Sequence, residues 1–235
     1  MRFRVLACDY DRTIALKGVL TDPVRQALQQ VRDSGRRMLL VTGRTLDELR
    51  DVLDDFSLFA LVVEENGGAI YDPASQKERP LAPRVPDLLI EELRRRDIGP
   101  LTIGHVLCAT ASENEPAVVR TIADLGLELE VGLNRDSIMI LPPDVDKAFG
   151  LRAALAQLGE DRRHTVAVGD GENDVALLRA AGVGVAVENA VEELKAEADI
   201  VLTAPAGDGI RMLCASLVRD DLADLLEDSA SRRAG

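Results

Sequence analysis

Tryptophan is absent from this 235-residue chain, and all aromatics together make up only 3% of it. Leu, Val and Ala must therefore fill the core. Cysteine is scarce too. Cys8, Cys108 and Cys214 are odd in number, far apart and without CxxC spacing, which argues against a disulfide framework or a cysteine zinc site. Each lies in an apolar run and reads as a small buried hydrophobe. With only His105 and His164, a histidine-based metal site is not expected. Positive charge is in deficit: 28 Lys and Arg face 41 Asp and Glu, a net charge of −13. Such an excess repels nucleic acid and anionic lipid, so neither is expected as a partner. No stretch approaches the ~18 consecutive apolar residues of a membrane span. The apolar N-terminal stretch is too short for a signal peptide, and the expected compartment is the cytoplasm.

What is present fits a soluble globular protein: 46% hydrophobic and 29% charged residues. The length suits one large α/β domain, or a core with a small insert. Val5 to Cys8 reads as a buried strand. Asp22 and Pro23 read as N-cap and first residue of a helix that Gly35 ends. Met38 to Val41 reads as a second strand. Thr45 to Glu48 resembles a capping box opening a helix with Leu49, Val52, Leu53 and Phe56 inward. Leu61 to Val63 reads as a third strand. Apolar strands alternating with helices predict a doubly wound parallel sheet, with ligands at the carboxyl ends of its strands.

From about residue 72 the pattern changes. A turn at 72–75 is followed by a helix near 86–96, a strand near 101–109, a helix near 115–125 and strands near 127–131 and 137–141. These predict a small α+β cap at 82–144 inserted between core segments 1–81 and 145–235. The α/β rhythm then returns, with strands at 165–168, 183–187 and 200–202 and a closing helix. The polar tail after about 228 is expected to fray.

Four stations fall at the predicted crevice: Asp9-Tyr10-Asp11-Arg12-Thr13, Thr42-Gly43, Lys147, and Asp170-Gly171-Glu172-Asn173-Asp174. Acidic groups gathered at strand ends repel unless a cation joins them, and carboxylates with carbonyls and waters suit Mg²⁺. A carboxylate beside that ion can attack phosphorus. A second carboxylate two residues on can protonate the leaving oxygen and then deprotonate water. A lysine, a hydroxyl and backbone N–H groups can hold the phosphoryl oxygens. Asp9, Asp11, Lys147, Thr42 and Gly43 supply these parts.

In order and placement the four stations resemble the motifs of the haloacid dehalogenase superfamily. The insert between the second and third, with Val41-Thr42-Gly43-Arg44 and Glu65-Asn66-Gly67-Gly68, resembles its Cof-type phosphatases. The resemblance covers residues 4 to 226. It implies Asp9 as nucleophile and metal ligand, Asp11 as acid/base with its carbonyl on the metal, and Asp170 as the remaining carboxylate ligand. Asp174 would position water or Asp170. Thr42, the Gly43 amide, Lys147 and Asn173 would hold the phosphoryl group. The implied cofactor is Mg²⁺, and the implied substrate is a small phosphorylated metabolite such as a sugar phosphate or a phosphoglycolate-like acid. Arg44 and Asn66 are candidate substrate contacts.

Arg12 departs from the family, whose first motif usually has Gly at this position. The other readings are a sugar phosphomutase, a non-catalytic binder of phosphometabolites, and a dehalogenase, which the Asp11, Thr13 and Asp170 set disfavours. Arg94-Arg95-Arg96 reads as a solvated helix end. Alternatively one of that trio, Arg84 or Arg135 reaches an anionic substrate. The sequence carries no signal of oligomeric state.

Overall fold

The computed structural model describes residues 1–134 and 136–234. Continuous apolar strands have no face suited to water, so helices must cover both sides of the sheet they form. β1 (Val5–Cys8) is buried throughout. α1 (Asp22–Asp33) turns Val24, Leu28 and Val31 inward. Its N-cap is Thr21, not Asp22, so the helix starts one residue earlier than expected. Asp22 then lies in the first turn, where a carboxylate still complements the helix dipole.

β2 (Arg37–Val41) leads to α2 (Leu46–Arg50), which opens on a true capping box. Thr45 Oγ1 accepts from the Glu48 amide at 3.3 Å, and Glu48 Oε2 accepts from the Thr45 amide at 2.9 Å. The helix stops at Arg50, short of the expected reach to Phe56. Asp51, Asp54 and Asp55 follow, and acidic groups at a helix C-terminus oppose the dipole. Leu53 is buried from the turn instead.

β3 (Leu61–Glu64) is followed by a hairpin of β4 (Ala69–Asp72) and β5 (Lys77–Pro80), two strands the sequence did not announce. Asp72 closes it by accepting from the amides of Ala74 and Ser75. The insert comprises α3 (Asp87–Arg95), β6 (Thr102–Ile103), β7 (Cys108–Ala111), α4 (Glu115–Asp124), β8 (Glu130–Asn134) and β9 (Ser137–Leu141). Its four-stranded sheet runs β6-β7-β9-β8 and encloses a core of its own around Leu89, Leu93, Val118, Ile138 and Ile140.

The chain returns to the main sheet with α5 (Lys147–Leu158), β10 (Thr165–Gly169), α6 (Val175–Ala180), β11 (Val183–Ala186), α7 (Glu192–Glu197), β12 (Ile200–Val201), α8 (Ala206–Asp220) and α9 (Ala223–Ala234). The tail expected to fray is thus helical as far as Ala234. The main sheet is ordered β12-β11-β10-β1-β2-β3-β4-β5. From β12 to β3 all pairings are parallel; β4 and β5 add an antiparallel edge. From β1 the winding goes one way to β2 and the other way to β10. Their carboxyl ends form the switch point where open α/β sheets bind ligands. Cys8, Cys108 and Cys214 are free and buried. Among the described residues, no helix is long and apolar enough to cross a membrane.

Candidate active site

Asp9 leaves β1 at that switch point, its amide still bonded to the Val168 carbonyl of β10 at 2.9 Å. Asp170 leaves β10 beside it, and the two carboxylates are buried. Lys147 joins them from the first residue of α5. A cation at a helix N-terminus opposes the dipole, so something else must hold it there. Its Nζ donates to Asp9 Oδ1 at 2.7 Å and to Asp174 Oδ1 at 2.6 Å. Two glycines permit this approach. A Cβ on Gly67, whose φ is +101°, would lie 1.9 Å from the Asp146 carbonyl oxygen, and one on Gly150 would lie 2.6 Å from Gly67 Cα. The start of α5 therefore packs directly against the turn after β3. Asp174 Oδ2 accepts from the amides of Asp170 and Gly171 at 3.0 and 2.9 Å, which fixes the loop carrying Asp170.

Carboxylate oxygens of Asp9, Asp170 and Asp174 all lie within 4.8 Å of one another. Burial pushes the Asp9 carboxyl up to about 8; Lys147 opposes this, and the charges of Asp174 and Asp170 add to it. For Lys147, burial alone would lower the pKa, but Asp174 and Asp9 outweigh it and hold the ammonium above its ordinary range. Lys147 thus serves two of these three buried carboxylates, Asp9 and Asp174, while Asp170 faces Arg12. This all-oxygen set fits a hard divalent cation such as Mg²⁺. The Asp11 side chain is outside the cluster, so only its backbone carbonyl is left for the metal role expected of it.

The Asp11 carboxylate instead faces Arg44, which grips it bidentately: Nε to Oδ2 at 2.6 Å and a terminal nitrogen to Oδ1 at 2.8 Å. Thr42 is buried next to the β3 turn, where its carbonyl accepts from the Asn66 amide at 2.9 Å and its Oγ1 from the Arg44 amide at 3.2 Å. Asn173 Nδ2 donates to Asn66 Oδ1 at 3.1 Å. The structure therefore brings Thr42, Gly43, Arg44, Asn66 and Asn173 to one rim of the crevice.

The insert closes this rim. A Cβ on Gly43 would lie 2.9 Å from Asn134 Nδ2 and 3.2 Å from Met139 Sδ. Asp11, Arg44, Thr102, Thr110, Asn134 and Ser137 share the lining of a cavity of about 380 Å³ between core and insert. The insert residues were missed from sequence because strand termini in an α+β insert carry no motif.

Arg12 adopts φ +62°, the left-handed conformation for which Gly is suited, at a cost of about 1 kcal/mol for an L residue. The Asn189 side chain secures it by donating to the Arg12 carbonyl at 3.0 Å, and Arg12 Nε stands 3.7 Å from Asp170 Oδ2. The turn therefore forms without glycine. Arg84 pairs with Asp87. Arg95 pairs with Glu92, and Arg96 with Glu92 and Asp124. These three are engaged within the insert and its linker, and none lines the cavity beside Asp11. Arg135 lies outside the described residues.

Next to Asn66, Glu65 ties insert to core: its carboxylate accepts from the amides of His105, Val106 and Leu107 at 2.7, 2.7 and 2.9 Å. This splits the strand expected over 101–109 into β6 and β7. Glu64 is fully buried. Burial, with the charges of Glu78 and Glu65, pushes its carboxyl from the ordinary 4.5 up to about 9. Between those values the folded state binds the extra proton, so stability falls as pH rises, by at most about 1.4 kcal/mol per pH unit. In chelator, Glu64→Gln is expected to match wild type near pH 5 and to exceed it at pH 9 in urea titrations. Equal pH slopes for the two proteins would refute this.

Comparison with known proteins agrees with the geometry. The model of the haloacid dehalogenase-like hydrolases matches residues 6–114 and 131–213. A phosphoglycolate phosphatase of Methanopyrus kandleri is 28% identical, covering 89% of this chain and 92% of its own. A 5-amino-6-(5-phospho-D-ribitylamino)uracil phosphatase of Bacillus subtilis is 25% identical, covering 88% and 92%. In fold, a haloacid dehalogenase-like hydrolase from Bacteroides thetaiotaomicron superposes with a TM-score of 0.78 at 20% identity, over 92% of this chain and 99% of that one.

Proposed function

The chain belongs to the haloacid dehalogenase-like hydrolases, and from that premise we propose that it is a Mg²⁺-dependent phosphatase of a small carboxylated or sugar phosphate, working through an aspartyl-phosphate at Asp9. The observation that carries this reading is Lys147 held between Asp9 and Asp174 with Asp170 alongside, a buried charge set at the switch point of the sheet. That relatives over nearly the whole chain are phosphatases supports it.

The metal would be held by Asp9, Asp170 and the Asp11 carbonyl, and when bound it would supply charge neutralisation for the carboxylates and the phosphoryl oxygens. An oxygen of Asp9 attacks phosphorus and the ester oxygen departs. Asp11 gives that oxygen a proton, then takes one from the water that attacks the aspartyl-phosphate, releasing inorganic phosphate and restoring Asp9. Lys147 favours the ionised form of Asp9 and orients it, Thr42 and the Gly43 amide hold phosphoryl oxygens, and Asn173 adds a donor. Asp174 acts through Lys147 and the Asp170 loop. The insert excludes bulk water and selects the leaving group.

Arg44 gives the substrate its chemistry. A fork that grips the Asp11 carboxylate is shaped for carboxylates in general. A substrate carboxylate that takes over this fork frees Asp11 to face the leaving oxygen. The test is phosphate release with and without Mg²⁺ from phosphoglycolate, sugar phosphates and an aryl phosphate. Mg²⁺-dependent release from one of these supports the reading; binding without turnover across all of them refutes it in favour of a phosphometabolite binder. Arg44→Ala is expected to lower kcat/KM on phosphoglycolate about tenfold or more, the loss of a charged hydrogen-bond pair. On an aryl phosphate lacking a carboxylate it should change kcat/KM far less. Equal losses on both substrates would remove Arg44 from carboxylate recognition.

A further inference from the structure

Arg12 stands where the family usually has Gly, and its backbone is held without help from its side chain. The Arg12 amide donates to the Ala15 carbonyl at 2.6 Å. Its carbonyl accepts from Asn189 Nδ2 at 3.0 Å, and Asn189 Oδ1 in turn accepts from the Ala206 amide at 2.6 Å. These bonds fix the left-handed φ of +62°, at a conformational cost that glycine would not bear. The turn therefore does not require an arginine. What the arginine adds lies where its guanidinium goes.

It goes to Asp170. Arg12 Nε stands 3.7 Å from Asp170 Oδ2, and Thr13 Oγ1, from the same turn, donates to Asp170 Oδ1 at 3.4 Å. The Asp170 side chain is 4% exposed, and a buried carboxylate needs countercharge. Lys147 is committed to Asp9 and Asp174. Arg12 differs from that lysine in two respects. Its side chain is 46% exposed, against 1% for Lys147, and its distance is that of an ion pair longer than a hydrogen bond. It can thus turn away without leaving a buried charge of its own unpaired. Arg12 also borders a cavity of about 360 Å³ walled in part by Ile14, Leu16 and Val19. Those walls can take its methylenes while the guanidinium stays in water.

We propose that Arg12 is a tethered counter-cation for Asp170, which pairs with that carboxylate in the metal-free protein and is displaced when Mg²⁺ binds. The inference rests on the reading of Asp170 as a metal ligand. Asp170 cannot offer the same oxygen to a guanidinium and to a divalent cation, and the two cations repel each other. Arg12 therefore offsets the acidic cluster before the metal arrives and weakens the net affinity for the metal when it does. It is a positioning residue that acts through Asp170. A glycine at this position gives neither effect.

The test is direct calorimetric titration of the full chain with Mg²⁺, without substrate, in wild type, Arg12→Gly, Arg12→Gln and Arg12→Lys. Arg12→Gln removes the charge but keeps an L residue in the left-handed turn, so it separates charge from backbone strain. Both uncharged variants are expected to bind Mg²⁺ about tenfold more tightly than wild type. Arg12→Lys, which keeps the charge, should reverse most of that gain. In thermal melts with chelator, Arg12→Gln should melt below wild type, and saturating Mg²⁺ should close the gap. Equal Mg²⁺ affinity in wild type and Arg12→Gln, or tighter binding in Arg12→Gly alone, would overturn the proposal, and Mg²⁺-dependent phosphate release by wild type would still uphold the phosphatase reading. Absence of Mg²⁺ binding from all these proteins would overturn the proposal together with the metal assignment.

Discussion

Replacing Asp9 by Asn should reduce phosphate release by at least about a thousandfold, since loss of a covalent nucleophile removes the first chemical step. The fold should survive. An amide has the size of the carboxyl and can still accept from Lys147 Nζ, 2.7 Å away in the native chain. Burial and the charges of Asp174 and Asp170 push the Asp9 carboxyl from 3.8 up to about 8, so in metal-free protein the native state holds a proton there that the unfolded state has lost. Native stability therefore declines as pH rises between those values, and the neutral amide escapes that decline. Asp9→Asn in chelator should be at least as stable as wild type at pH 8. Turnover and thermal melting on one preparation check both halves. Residual turnover within tenfold of wild type would remove Asp9 from the nucleophile role.

Lys147→Met should be damaging in the opposite pattern, to folding as well as to turnover. Lys147 is 1% exposed and donates to two buried carboxylates at 2.7 and 2.6 Å. Breaking a buried ion set by removing one partner leaves uncompensated charge and costs about 3–5 kcal/mol. For a chain of this size that is a fall in Tm of about 10 °C. Turnover should drop by a further hundredfold or so, as when one charge-stabilising donor is lost. Mg²⁺ should restore part of the stability, because it offsets the same carboxylates, but not the turnover. A melting temperature unchanged in chelator would show that Asp9 and Asp174 do not depend on the lysine.

The site's components were legible because they lie in short runs at strand ends. Asp9 to Thr13 and Asp170 to Asp174 each follow an apolar strand, and the α/β rhythm alone puts both at the same edge of the sheet. Lys147 was legible only with its motif partners, since a lone lysine beginning a helix reads as solvated. The Arg44 grip on Asp11 was not legible. The two are 33 residues apart, and only the β1–β2 pairing brings their loops face to face. Nor was the hairpin at 104–107: Glu65 fixes it from 40 residues away by taking three amides.

Arg12 marks the limit of residue-type rules. Its identity argued against the left-handed turn, yet φ is +62°, with the Asn189 side chain holding its carbonyl. A bond from 177 residues away helps offset a local cost of about 1 kcal/mol, which no local pattern can register.

By itself, then, the sequence determined the alternation of apolar strands and helices on either side of the insert, the doubly wound core and the strand ends that carry the acidic groups. Hydrophobic periodicity and capping act over a few residues, and so they can be read there. Tertiary structure alone decided which insert residues, Asn134 and Met139, cover Gly43, and which carboxylates are buried deeply enough to hold protons. Those outcomes depend on burial and on charges brought together from distant parts of the chain, and both exist only after the sheet and the insert have packed.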